Sequence, residues 1–516
     1  MRWSVTRRSA TAGWVLMQER EYDIVIIGSG AGGGAAAKEL APLCADGVRI
    51  AVLEMGAKLK EEEYTGREVE MSRRLYIDSG GTLTKDRAMT LAYGQAYGGS
   101  TVVYTGTSLT MPEEVVERWN VPGLEYEDLH RRSLKYLEEN NVHLLPDDEL
   151  NDNNRLFLDG CTKLGYHVEQ FPINVKGCLS SSLCNLGCPN QAKQGTHRVQ
   201  LPQAEAEGVE VITNCRVTRI ADKVCEAVVT DPGFGELSPW APGEYRVKAK
   251  VVVVCAGGAV NSAALLLRSG FGEQLPNLGR FITLHPALIL VGEHDRPITN
   301  FYGHPKSYYC DEFWKSDAFL LETCMYFPFV TAKNLIGFGA EHSELMRAFP
   351  RLQMILVLAL DPAIADNRVT VNSDGDPVVD YTLTDGVLDT LHASMLASTR
   401  IFFAAGARRV HAPAGKTFFI DAVDSARIDE LIPRANVLPG KISITSAHLM
   451  GGCRMGGDPG DSVTDGWGRV HGTPWLYVAD SSLFPQCSEI NPYVTVMGLA
   501  DRVAEGIRSN VGELLA

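Results

Sequence analysis

Residues 22–56 read YDIVIIGSGAGGGAAAKELAPLCADGVRIAVLEMG, and this stretch decides the fold. The apolar run Ile24 to Ile27 predicts a buried strand. It ends in Gly28-Ser29-Gly30-Ala31-Gly32-Gly33-Gly34, and a good helix former, Ala35 to Leu40, follows at once. A second apolar run, Ile50 to Leu53, delivers Glu54. Strand, glycine turn, helix, strand and acid, in that order, make a dinucleotide-binding unit. Gly28 makes the tight turn, Gly30 lets backbone approach a pyrophosphate, and Gly33 lets helix and strand pack closely. The helix N-terminus offers unpaired N–H groups and a partial positive charge to phosphate. Glu54 lies 21 residues beyond Gly33, where a carboxylate can hold ribose hydroxyls.

The rest of the chain must be organised around that unit. With 516 residues there is enough for two or three lobes, and 45% apolar content with 50 glycines fits a globular, turn-rich chain. A net charge of −15 argues against nucleic acid or an anionic membrane surface as the main partner. Residues 1–20 predict a frayed extension. The apolar stretch Thr11 to Met17 is too short for a signal core, and Arg7-Arg8 is a weak imitation of a twin-arginine export signal. No apolar run is long enough to span a bilayer. Twelve cysteines without a secretion signal point to free thiols and a cytoplasmic setting.

Three separated blocks look like parts of one sheet. The second holds Val209 to Thr213, then Cys215 to Ile220, then the buried run Val251 to Val254, which ends in Cys255-Ala256-Gly257-Gly258 ahead of a helix stopping at Gly270. The third is Trp475 to Val478 with Asp480 just beyond, followed by a closing helix from Thr495 to Arg508. Segments 111–204 and 299–440 carry more aromatics and antiparallel marks, such as Arg368 to Val371 facing Val378 to Tyr381 across Asn372 to Asp376. The expectation is an α/β chain. Segments 21–110, 205–298 and 441–516 would form a discontinuous Rossmann-like domain, and 111–204 with 299–440 an inserted antiparallel-sheet cap over the substrate.

The chain resembles the glucose–methanol–choline (GMC) flavin oxidoreductases along nearly its whole length. Four blocks carry the likeness: Gly28 to Glu54; Tyr93 to Thr101, similar to a glycine–serine loop beside the flavin ring; Val251 to Gly270; and Ser446 to Gly456 with Ala479 to Pro485 and Asn491-Pro492. The resemblance makes the dinucleotide FAD. Within the family, Cys178 to Thr196, Leu284-His285-Pro286 and the fourth block look most like the long-chain alcohol oxidase and dehydrogenase branch. By the same likeness, Gly28, Ser29, Gly30, Ala31, Gly33, Glu54, Gly99, Ser100, Val217, Ala256, Asp480 and Pro492 are expected at the cofactor. Asp480 could instead cap the segment after it, and Val217 could be ordinary core. Some relatives tether FAD through a histidine near the second block. Thr101 to Tyr104 contains none, so the cofactor is expected to be non-covalent.

Alcohol oxidation needs a proton acceptor for the hydroxyl while hydride leaves the same carbon for flavin N5. An imidazole suits that task, and His448 is the candidate base. A lone histidine is more often a buried, backbone-satisfied one. Here Asn491 stands 43 residues on, about where the family's catalytic pair has its second His or Asn. Asn491 can hold the substrate oxygen without competing for the proton. His285 is expected to make a structural hydrogen bond rather than take part in catalysis. The aromatics between Phe301 and Phe329 read as core, with some left to line an apolar cavity beside Met325.

Cys178, Cys184 and Cys188 are the ambiguous feature, because Cys188-Pro189 has the look of iron–sulfur ligation. Structural thiols or a disulfide are favoured over a cluster, and over zinc with His197 as fourth ligand. No metal is expected. These residues together predict oxidation of a lipophilic alcohol to aldehyde or ketone, with oxygen, a quinone or a redox protein reoxidising the flavin. The alternatives are the catalytic subunit of a dehydrogenase with an electron-carrying partner, and a lyase whose FAD is structural. Oligomeric state stays open.

Overall fold

The strand Gln18–Ile27 sits in the middle of a seven-stranded sheet, because Ile24 to Ile27 are buried on both faces and need cover on both. The structure, a computed structural model, describes residues 17–298 and 300–516. Arg7-Arg8 and most of the expected extension lie outside the described residues. Gln18, Glu19 and Arg20, read from sequence as part of that extension, belong to the strand and pair with Tyr245, Arg246 and Val247. They carry no apolar residue, so hydropathy hides them. Arg20 nevertheless holds its guanidinium 5.5 and 5.4 Å from the Trp240 and Tyr245 rings.

On one side the central strand pairs in parallel with Ile50–Leu53, which in turn pairs with Glu210–Ile212. On its other side lies Gly243–Val254. That strand alternates buried and exposed residues where it also meets Val224–Val229 in antiparallel register, and becomes wholly buried at Val251 to Val254. Leu476–Val478 joins that buried end in parallel, and Cys215–Ala221 closes the edge beyond Val224–Val229. The three sequence blocks thus share one sheet. Helix Ala31–Leu40 covers it together with the closing helix Tyr493–Ser509.

The second sheet has ten strands and is antiparallel in its centre, where Ala287–Glu293 pairs with Leu352–Ala359 and the latter with Phe319–Thr323. Helix Asp385–Ala404, capped by Thr384 Oγ1 accepting from Val387 N at 3.3 Å, packs against it. Thr82–Leu83, Met89–Leu91, Ala287–Glu293 and Ile444–Ser446 all belong to this sheet. The expected boundaries place their segments in the cofactor domain, but the chain crosses between the two sheets more often than those boundaries have it. The hairpin Arg368–Val371 with Pro377–Asp380 forms as expected, but as a separate two-stranded ribbon beside helix Gly258–Arg268. Among the described residues, no helix is long and apolar enough to cross a membrane.

Candidate active site

One cavity of about 740 Å³ runs between the two sheets, with the glycine turn and His448 both on its walls. The turn is built by backbone contact. A Cβ on Gly28, at φ +96°, would fall 2.3 Å from the Cys255 carbonyl oxygen; one on Gly33 would fall 1.9 Å from that of Gly28. Gly32 is as tight, 1.8 Å from the Ala479 oxygen, although the sequence reading singled out only its neighbours. Gly30 differs. A Cβ there would meet nothing nearer than Gly99 Cα at 3.9 Å, so the helix start opens onto the cavity. Gly30 is the N-cap of Ala31–Leu40, with no side-chain cap and no acid in the first turn, which leaves the first N–H groups available to an anion.

Glu54 is buried at the floor of this turn. One carboxylate oxygen accepts from Ser29 N at 2.9 Å and Ser29 Oγ at 2.6 Å, the other from Gly56 N at 2.6 Å. Burial pushes its carboxyl pKa up, and those three donors oppose the rise. Ser29 Oγ also accepts from Gly98 N at 2.8 Å, which ties the turn to the loop carrying Gly99 and Ser100. Ala31, Val217, Ala256, Asn491 and Pro492 line the same cavity.

Asp480 lines it too, but its carboxylate is occupied by the protein. Oδ1 accepts from Ser482 N and Oγ at 2.9 and 2.6 Å; Oδ2 accepts from Gly258 N at 2.9 Å and Ser262 Oγ at 2.5 Å. The capping role weighed for it is the one these bonds perform, and any contact with a cofactor has to share a carboxylate already in use. Pro492 begins helix Tyr493–Ser509, whose N-terminus also has no side-chain cap and reaches the cavity. That second open helix start was not legible from the motif alone.

His448 follows strand Ile444–Ser446 and is half-buried, at the cavity wall. Its Nδ1 lies 3.0 Å from Nδ1 of His285, the rings meeting edge to face. Burial, then His285, then the Lys306 ammonium hold the His448 pKa well below the usual imidazole range. A free imidazole ionises near neutral pH, and desolvation moves this one down. His285 has a left-handed backbone, φ +45°, held by Asp361, whose carboxylate accepts from Leu284 N at 2.8 Å and His285 N at 2.9 Å. Tyr381 OH donates to the same carboxylate at 2.5 Å, and burial pushes the Asp361 carboxyl up to about 6. The structural hydrogen bond expected of His285 therefore exists, and its partner is His448.

Cys178, Cys184 and Cys188 are free thiols, so the disulfide weighed for them is not formed. Nor do they converge as metal ligands. Among the described residues, the convergent set is a His285 ring nitrogen, the Asp361 carboxylate and the Cys487 thiol, within 4.8 Å of one another. What anchors the cysteine loop is Lys193, which sequence reasoning missed. Its buried Nζ donates to the carbonyls of Val102 at 2.7 Å, Tyr104 at 2.6 Å and Cys184 at 2.6 Å. His197 is half-buried, and desolvation of its ring holds it down to about 3.

GMC oxidoreductase family models match residues 72–287 and 363–500. The chain belongs to the GMC oxidoreductase family. This GMC oxidoreductase is 33% identical over 496 residues to an uncharacterized GMC-type oxidoreductase of Mycobacterium tuberculosis, covering 94% of this chain and 75% of the relative. It is 27% identical over 505 residues to a long-chain-alcohol oxidase of Arabidopsis thaliana, covering 93% and 67%. In fold it is similar to pyridoxine 4-oxidase from Mesorbium loti, with TM-score 0.70, 17% identity and coverage of 95% and 99%. Formate oxidase follows at TM-score 0.68 and 14% identity, covering 96% and 100%. Membership makes this GMC oxidoreductase an FAD-dependent oxidoreductase acting on CH–OH groups. The residues fit that cofactor: the open concavity at Gly30, the uncapped helix start and the carboxylate of Glu54 are the donor and acceptor set a dinucleotide uses.

Proposed function

We propose that this enzyme binds FAD without a covalent tether and oxidises a primary or secondary alcohol with an apolar body, using His448 as the base. The observation that carries this reading is the Nδ1-to-Nδ1 contact between His285 and His448 at the cavity wall. Two imidazoles can share that contact only if one nitrogen carries the hydrogen and the other does not. With the hydrogen on His448, its Nε2 is left as the acceptor for a hydroxyl proton. Burial keeps that imidazole neutral at working pH, which a base requires. Asn491, on the same cavity wall, would orient the substrate oxygen through its amide. FAD, when bound, supplies the hydride acceptor.

Gly28, Ser29, Gly30 and Ala31 would hold the pyrophosphate side of the cofactor, with Gly33 packing the turn behind them, Glu54 a ribose, and Val217 the adenine. Gly99 and Ser100 would meet the flavin edge, with Ala256, Asp480 and Pro492 along the remaining arm. The wall at 99–104 offers no histidine or cysteine for a tether. Met325, Phe327, Phe329 and Leu356 on the cavity wall support an apolar substrate body. Relatives named as oxidases support dioxygen as acceptor. The test is anaerobic mixing with a panel of alcohols, followed by air. Bleaching of the flavin and its return with hydrogen peroxide support the reading; a flavin that no alcohol bleaches removes it.

A further inference from the structure

The substrate end of the cavity is not uniformly apolar. Lys306, just before strand Tyr308–Cys310, and Glu322, in strand Phe319–Thr323, form an ion pair whose side chains are 8% and 1% exposed. Both line the cavity with Met325, Phe327 and Leu356. Lys306 and Glu322 share this cavity with His448, on which the ammonium acts electrostatically. A buried ion pair is costly unless its remaining donors and acceptors are satisfied. Here they are not. Glu322 Oε2 receives no directed hydrogen bond, and besides Glu322 the Lys306 ammonium meets the face of the Phe171 ring, 5.7 Å away, which takes no conventional hydrogen bond. The ammonium has three N–H donors, so at least one is spare.

We infer that the Lys306–Glu322 pair is a substrate subsite that takes a second hydroxyl, so that the alcohol oxidised at His448 is a diol or polyol with an apolar body. This rests on the alcohol-oxidising reading above. A hydroxyl is the group that suits both partners: its oxygen accepts from the ammonium and its hydrogen donates to the free carboxylate lone pair. A substrate carboxylate would be repelled by Glu322, and a substrate ammonium by Lys306. A plain hydrocarbon tail would bury both ions with nothing in exchange.

The experiment compares kcat/KM for straight-chain mono-alcohols with that for diols of the same length, in the holoenzyme, and measures thermal stabilisation by each in parallel. Truncating one partner alone leaves an unpaired buried charge and risks misfolding. The variant is therefore Lys306→Met with Glu322→Leu, since apolar replacement of a whole buried pair is commonly tolerated; Glu322→Gln serves as the milder second variant. The parent should favour the best-matched diol by about 10- to 100-fold, the range for hydrogen bonds to charged groups. That ratio should fall to about one in the double variant and partway in Glu322→Gln. Equal kcat/KM and equal thermal shifts for alcohols and diols in the parent would overturn the subsite, as would a diol preference that survives the double variant. If no alcohol bleaches the flavin, the alcohol-oxidising reading fails. Diol-specific thermal shifts lost in the double variant would then still support the subsite, and their absence would overturn it.

Discussion

His285 and His448 come from segments 163 residues apart and meet Nδ1 to Nδ1 at 3.0 Å, with His285 fixed from behind by the Asp361 carboxylate. The base candidate is thus held by a second imidazole. His448→Ala should lower the rate of anaerobic flavin reduction by about 10²–10⁴-fold, the usual contribution of a positioned general base. FAD content should stay near the parent's. Asn491→Ala should cost less, because the proton acceptor remains. Stopped-flow reduction with the best substrate reads both, and an undiminished rate in His448→Ala sinks the mechanism.

The pH profile follows from the direction of the His448 shift. Only the neutral imidazole accepts a proton, so activity is present above its pKa and lost as pH falls through it. With that pKa well below the ordinary range, the flavin-reduction rate should be level through neutral pH and fall only in acid. His285→Asn keeps a residue type that tolerates the left-handed backbone. It should slow reduction roughly tenfold, the scale of one lost hydrogen bond, and move the acid limb upward. A purely structural His285 would lower the melting temperature and leave the limb where it was.

Glu54→Ala should weaken FAD binding by about 1.5–3 kcal/mol, the range for a charged acceptor. Because the same carboxylate pins Ser29 and Gly56, the apo protein should also lose stability. Glu54→Gln can still accept from Ser29 and should fall between. Titration of apo protein with FAD measures the first effect and thermal unfolding the second; parental FAD affinity in Glu54→Ala would rule out the ribose contact.

Acid should destabilise this fold early. Burial holds His197 and His285 down to about 3 and His304 and His411 down to about 4. Below pH 6.5 the unfolded chain binds protons that these four do not, so stability falls as pH drops from there toward about 4. Asp361, raised to about 6, and Glu54, also raised by burial, work in the opposite sense, but they are two groups against four. The melting temperature should therefore drop between pH 7 and 5, before the ordinary carboxylates titrate. A flat profile over that interval would contradict the buried neutral histidines.

The sheet around Gln18–Ile27 was legible because its determinants are local: apolar runs, a glycine turn and an acid, all within 35 residues. The site was legible in part. His448 and Asn491 stand out by spacing, and the structure puts both on one cavity. The partnership of His285 with His448 was not readable, since it depends on where the second sheet carries residues far apart in sequence. Lys306 and Glu322 were hidden for a related reason. Each sits among aromatics and apolar residues that read as core, and nothing in one strand announces the charge opposite. Gln18 to Arg20 form strand on the strength of their neighbour's edge, which hydropathy does not register.

The Lys193 ammonium gives the loops beside the cavity a clasp made of a single proton-bearing nitrogen. It gathers three carbonyls from two segments, the kind of cross-linking a bound ion or a disulfide performs elsewhere. Such a clasp needs no oxidant to close and no chelator to open. Desolvation brings its pKa down to about 8, and once deprotonated the amine has two hydrogens for three acceptors. Mild alkali should therefore unfasten the Cys184 loop from Val102 and Tyr104 while both sheets stay intact.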